Sequence, residues 1–169
     1  MQPKELDTIF GLLLGKTSLQ IKPVDKTFVM QNMIPDDPEM LFNFAKNFID
    51  SSDSADAEVL QRTLERADDL LDDVSPSHRE EVILKGNVKI ALGEFSDGIE
   101  WLELAIRSNP GDHVTRYRLV ETLIQQQDFE TAQMHTKKLI ETNERPKYRT
   151  IHRRVIEEIE KKKAAAMNR

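Results

Sequence analysis

At 169 residues, 38% hydrophobic and 32% charged, the chain is long enough for one domain with a core, and its balance is that of a globular protein rather than a membrane-embedded or disordered one. It contains no cysteine, which excludes disulfides, thiolate zinc sites and a cysteine nucleophile and leaves the compartment open. The net charge of -6 is uneven: residues 1–78 carry 7 Lys+Arg against 15 Asp+Glu, residues 79–146 carry 9 against 12, and residues 147–169 carry 8 against 3. An acidic body with a basic tail argues against nucleic-acid binding over the whole surface, because phosphate contacts need a concentrated positive face.

The opening MQPKELDTIFGLLLGK makes a poor secretory signal: Glu5 and Asp7 stand where basic residues belong, and the apolar run Ile9 to Leu14 is short and broken by Gly11. No stretch approaches the length of a membrane span. A cytoplasmic location is therefore expected. Leu6, Ile9, Phe10, Leu13 and Leu14 have helical spacing, and that face is expected to pack on its own chain, although docking on another chain is also open. Residues 18–34, rich in β-branched and long apolar side chains but containing Pro23, read as an extended or irregular arm.

Helical periodicity dominates from residue 38 onward. Asp37-Pro38 predicts an N-cap followed by proline at the first helical position, and Met40, Leu41, Phe44, Phe48 and Ile49 form an apolar stripe. After Ser51-Ser52-Asp53-Ser54 a second helix is expected over 55–73, with Leu60, Leu64, Ala67 and Leu71 inside and Asp68, Asp69, Asp72 and Asp73 largely outside. Ser75-Pro76 stops it. Ser77-His78-Arg79-Glu80 then has the form of a capping box and predicts a new helix. Gly93, Asn109-Pro110-Gly111-Asp112, Gln127-Asp128 and Arg145-Pro146 punctuate the remainder, leaving helices of roughly 13 to 16 residues separated by short turns.

Two windows of 34 residues, 79–112 and 113–146, superimpose. Gly86 then pairs with Val120, Phe95 with Phe129, Gly98 with Ala132, Ala105 with Leu139 and Ile106 with Ile140. This period of paired helices resembles the tetratricopeptide repeat, with Gly86, Gly93, Phe95, Gly98, Ala105 and Pro110 on matching positions, while Val82, Lys85 and Lys89 depart from the family's preferences. Pro76, 34 residues before Pro110, marks a degenerate repeat upstream. After Pro146 a last helix carries Tyr148, Ile151, Val155, Ile156 and Ile159 on one side, with Arg154 at the small-residue position, as befits a capping helix.

The resemblance, over about residues 38–160, implies an all-α fold: a short right-handed α-solenoid of antiparallel helix pairs with an N-terminal arm and a C-terminal capping helix. The divisions expected are 1–37 (N-terminal helix and arm), 38–78 (degenerate repeat), 79–146 (two repeats) and 147–169 (capping helix and basic tail). It also implies a concave groove lined by the first helix of each pair, here Ile83, Asn87 and Ile90, then Tyr117, Glu121 and Ile124, then Tyr148, Ile151 and Val155. Such a surface suits an apolar partner segment, with Asn87, Arg118 and Glu121 orienting it by hydrogen bonds. Ile83 stands where a clamp for a terminal carboxylate would want a basic residue, which argues against that specialisation.

Catalysis has little support. His78, His113, His135 and His152 fall singly, without the H-x-x-x-H spacing of a metal pair, and no phosphate-cradling glycine loop or G-x-S-x-G occurs. The run Asp68, Asp69, Asp72 and Asp73 lies on a helix, which cannot wrap a cation as a calcium loop does. Trp101 reads as a core or ridge residue. The expectation is a non-catalytic adaptor or assembly chaperone without cofactor or metal, binding another protein or peptide segment. Self-assembly into a homo-oligomer through the N-terminal helix or the groove is the alternative, and anion binding by the basic tail a third reading.

Overall fold

A computed structural model describes residues 36–46 and 54–167. The expected N-terminal helix at 6–14, the arm at 18–34, Phe48, Ile49 and residues 51–53 lie outside them. The described residues form seven α-helices and no strand: α1 (Pro38–Lys46), α2 (Ser54–Asp69), α3 (Arg79–Ala91), α4 (Phe95–Ser108), α5 (His113–Gln125), α6 (Phe129–Thr142) and α7 (Pro146–Met167). They fall into two compact units that divide between Asp73 and Val74.

In the first unit α1 packs on α2. Asp37 caps α1 by accepting from the Met40 amide at 2.8 Å, and Leu41, Phe44 and Ala45 are buried on one stripe, at the three- and four-residue spacing that a helix needs to bury a single face. From α2 and the turn after it, Val59, Leu64, Ala67 and Leu71 are buried. Leu60, expected with them, is only half-buried. The helix ends at Asp69, short of the expected 73, because the backbone tightens there: the Leu71 amide donates to Asp68 and the Asp72 amide to Asp69.

The second unit is a solenoid of antiparallel helix pairs, α3 with α4 and α5 with α6, closed by α7 against α6. A core of Ile90, Leu102, Ile106, Leu119, Leu123, Phe129, Ala132, Val155 and Ile159 draws on all five helices, so α7 is fastened to both pairs. The capping box expected at Ser77 is not formed. A turn in which the His78 amide donates to the Ser75 carbonyl carries the chain one residue further, so His78 becomes the N-cap and the Ser77 hydroxyl pairs with that of Ser75 at 2.8 Å. Glu94 at the start of α4 also makes no side-chain cap, whereas α5 and α6 have them: Asp112 accepts from the amides of Val114 and Thr115, and Asp128 from that of Thr131.

Two positions set how closely the α3–α4 pair crosses. A Cβ on Gly86 would stand 2.9 Å from Leu102 Cδ2, and one on Gly98 would stand 2.5 Å from Ile90 Cγ1 and 2.9 Å from the Gly86 carbonyl. Glycine at both is what lets the backbones meet, and this pair is the most intimate in the unit. In the α5–α6 pair Val120 and Ala132 occupy the corresponding places, both fully buried.

Candidate functional site

One face of α5 and the start of α7 border a common space. Tyr117, Glu121, Ile124 and Gln125 on α5 and Lys147, Thr150, Ile151 and Arg154 on α7 line a concavity of about 640 Å³. On α5 the residues recur at steps of four, three and one, and on α7 at three, one and three, which places each set on one helix face.

Its apolar floor is tied to the core. Val120, Leu139, Tyr148 and Ile151 form a second buried cluster, with Tyr117, Ile124 and Ile140 packed on it. The Tyr117 and Tyr148 rings are 5.7 Å apart and tilted by 43°, in the range where aromatic pairs attract, and the His113 ring lies 6.3 Å from that of Tyr148. Lys147 reaches over both tyrosines, its Nζ 4.6 Å from the Tyr117 centroid and 5.3 Å from that of Tyr148. Burial, and then the neighbouring Glu121 carboxylate with its hydrogen bond to the phenol, push the Tyr117 hydroxyl above its usual range, so it is a neutral donor at neutral pH.

Of the groove residues expected from the sequence, Tyr117, Glu121, Ile124 and Ile151 meet in this concavity. Ile83 and Asn87 are half-buried on α3, Ile83 against the core, and neither lines it. Arg118 is exposed outside it. Two others are core residues. Ile90 is 7% exposed because Gly98 lets α4 close over it, and Tyr148 is 0% exposed, sealed beneath Tyr117 and Lys147. Val155 is likewise fully buried. The polar residues of the wall, Gln125, Lys147, Thr150 and Arg154, were not anticipated. The three-, four- and seven-residue spacing of Thr150, Ile151 and Arg154 from Lys147 is the signal that places them with Ile151.

The histidines are dispersed among separate partners. His78 contacts Glu81 at 3.2 Å, His113 contacts Thr142 at 3.4 Å, His135 contacts Arg116 at 3.2 Å and His152 contacts Thr136 at 2.8 Å. Among the described residues no cluster of three or more His, Asp or Glu could hold a metal ion, and no helix is long and apolar enough to cross a membrane. Trp101 lies half-buried on α4, beside Asp97, Glu100, Leu104 and Arg107.

The fold and this concavity define an all-α helical-repeat protein. No family model matches the chain, and no curated protein matches it. Among solved structures, a crystal structure of MamA is similar over 97% of this chain and 98% of that one, at 16% identity and a TM-score of 0.49. A crystal structure of MamA protein is similar over 94% and 90%, at 15% identity and a TM-score of 0.46. At that level of likeness the architecture rests on the chain's own helices and shared core.

Proposed function

We propose that the chain is a non-catalytic interaction protein of the cytoplasm, an adaptor or assembly chaperone, that holds a segment of another protein in the concavity between α5 and α7. The observation that supports this reading is the pairing of half-exposed apolar groups, Tyr117 and Ile124, with polar groups along two helices that one core holds in register. Rigid walls lose little ordering entropy when a segment binds, so a modest apolar contact is converted efficiently into affinity. Aromatic anchors in such a setting carry a large share of binding energy.

The test is capture from lysate by the wild-type chain, by Tyr117→Glu/Ile124→Glu and by Thr150→Arg, each checked for helicity by circular dichroism. Thr150 is exposed, so its replacement blocks the concavity without opening the core. A partner held by wild type and lost by both variants supports the reading. Capture unchanged by both, or recovery of the chain alone, overturns it, the latter in favour of self-association.

A further inference from the structure

The charges of the concavity narrow the occupant. Lys147 and Arg154 stand seven residues apart on α7, two helical turns or about 10.5 Å of rise, with Ile151 between them. Neither makes an ion pair among the described residues, whereas Arg149 and Lys161 on the same helix are matched by Glu144 at 2.9 Å and Glu158 at 2.6 Å. The one carboxylate of the concavity, Glu121, is engaged by the Tyr117 phenol. The wall therefore offers two cations bracketing an apolar contact.

We propose that the segment held there is an acidic amphipathic helix, carrying two carboxylates seven residues apart and an apolar side chain midway between them. This rests on the reading of the concavity as a partner site. The carboxylates meet Lys147 and Arg154, and the apolar group seats on the half-exposed Ile124 and the Tyr117 ring, above the buried Ile151. The seven-residue period is what selects a helix. A helical partner repeats in step with α7 and keeps all three groups on one face. An extended strand covers the same rise in about three residues and turns its third neighbour to the opposite side. The paired acids would also give the complex a salt-dependent association rate, as steering by unscreened charges does.

The test uses the full chain and three labelled synthetic helix-forming peptides read by fluorescence anisotropy. One has Glu at two positions seven apart with Leu midway, one has the same composition with the second Glu moved by two positions, and one has Lys in place of both Glu. Wild type is expected to bind the first about tenfold more tightly than the second, and K147E/R154E to lose the first by about tenfold and gain the Lys peptide, because opposite charges in register are replaced by like charges. Both replaced residues are exposed. Equal binding of both Glu peptides, indifference to the charge reversal, or no binding overturns the proposal. So does a single-stranded oligonucleotide held as tightly as the first peptide, which would mark a general polyanion site. If a lysate partner is lost with Tyr117→Glu/Ile124→Glu but kept with K147E/R154E, the concavity remains the partner site and only the acidic helix fails.

Discussion

The Arg79 guanidinium, in the first turn of α3, donates to the Asp112 carboxylate, 33 residues further on. Asp112 is at the same time the N-cap of α5, accepting from the Val114 amide at 3.0 Å, the Thr115 amide at 3.1 Å and the Thr115 hydroxyl. One side chain thus caps a helix and fastens its first turn to the equivalent turn of the preceding pair.

Asp112→Ala should cost about 1–2 kcal/mol of unfolding free energy, the upper range for loss of a cap. Asp112→Asn keeps an accepting oxygen for the amides and gives up the ion pair, so it should cost less than half as much. Burial alone would raise the Asp112 carboxyl, but the Thr115 hydroxyl and amide, Arg79 and the Val114 amide together outweigh it and hold the group below its ordinary 3.8. A depressed folded pKa means the stabilisation is complete above about pH 4 and is lost as the pH falls through the folded value. The advantage of wild type over Asp112→Asn in urea midpoint should therefore be full at neutral pH and shrink as the pH falls from about 4 through the folded value.

Gly98→Ala reverses a familiar sign. Inside a helix that exchange ordinarily gains about 1 kcal/mol. Here the new methyl meets Ile90 Cγ1 at 2.5 Å and the Gly86 carbonyl at 2.9 Å, and a backbone oxygen cannot move aside. A loss of about 1–3 kcal/mol in urea unfolding is expected. Gly86→Ala should cost less, since its nearest neighbour at 2.9 Å is the end of the Leu102 side chain.

Much of this architecture is legible in the sequence because its signals are local. Asp37 before Pro38, Gly93, and Asp112 after Asn109-Pro110 each mark a helix end through backbone chemistry within a few residues, and Gly86 and Gly98 fall on positions that match the repeat. The site was less legible. The resemblance to the repeat assigns Ile90 and Tyr148 to the lining of the first helices, but whether the neighbouring helix closes over such a residue depends on the approach distance, which Gly98 sets for Ile90 and the Tyr117 ring for Tyr148. Lys147, Thr150 and Arg154 are not marked because on the last helix the expected lining follows only Tyr148, Ile151 and Val155, although the polar residues share the face of Ile151. The Ser77 box failed on a shift of one residue, within the ordinary slack of helix ends.

The turns after α3 and α5 have the same hydrogen bonds and different residues at the critical place. Gly93 (φ 84°) and Gln127 (φ 59°) each take the left-handed conformation, with the next amide reaching back to Lys89 and Leu123 respectively, at 2.9 Å in both cases. Glutamine adopts that region at a cost of about 1 kcal/mol. Gln127→Gly should accordingly stabilise by about 0.5–1 kcal/mol and Gly93→Ala should destabilise by a similar amount, although a Cβ at Gly93 would meet nothing within 4 Å. Thermal midpoints of the two variants should move in opposite directions.

Tyr148 is fully buried and its hydroxyl has no hydrogen-bond partner. Burying a hydroxyl without compensation costs about 1–3 kcal/mol, so Tyr148→Phe, which keeps the ring contacts with Tyr117 and His113, should be neutral or stabilise by up to about 1 kcal/mol. Tyr148→Ala should cost about 3–5 kcal/mol, as loss of a buried aromatic does. A loss in the Phe variant approaching that of the Ala variant would mean the hydroxyl is engaged after all.

Arg116 and His135 make stability depend on pH near neutrality. The Arg116 guanidinium donates to the Pro110 carbonyl at 2.9 Å and contacts His135 Nδ1 at 3.2 Å. A guanidinium has no acceptor, so Nδ1 must accept and the imidazole proton must sit on Nε2. Protonation removes that acceptor and sets two cations together between α5 and α6. Burial first, and the Arg116 charge second, accordingly hold His135 below its ordinary 6.5. The unfolded chain takes up the proton before the folded one, so stability is full above about pH 6.5 and falls as the pH drops toward the folded value. Lowering the pH from about 7.5 to about 5.5 should therefore lower the Tm of wild type through this contact. His135→Gln retains an accepting oxygen for Arg116 and has no proton to gain, so its Tm should fall less over the same interval, and equal falls in the two proteins would assign the pH dependence to other groups.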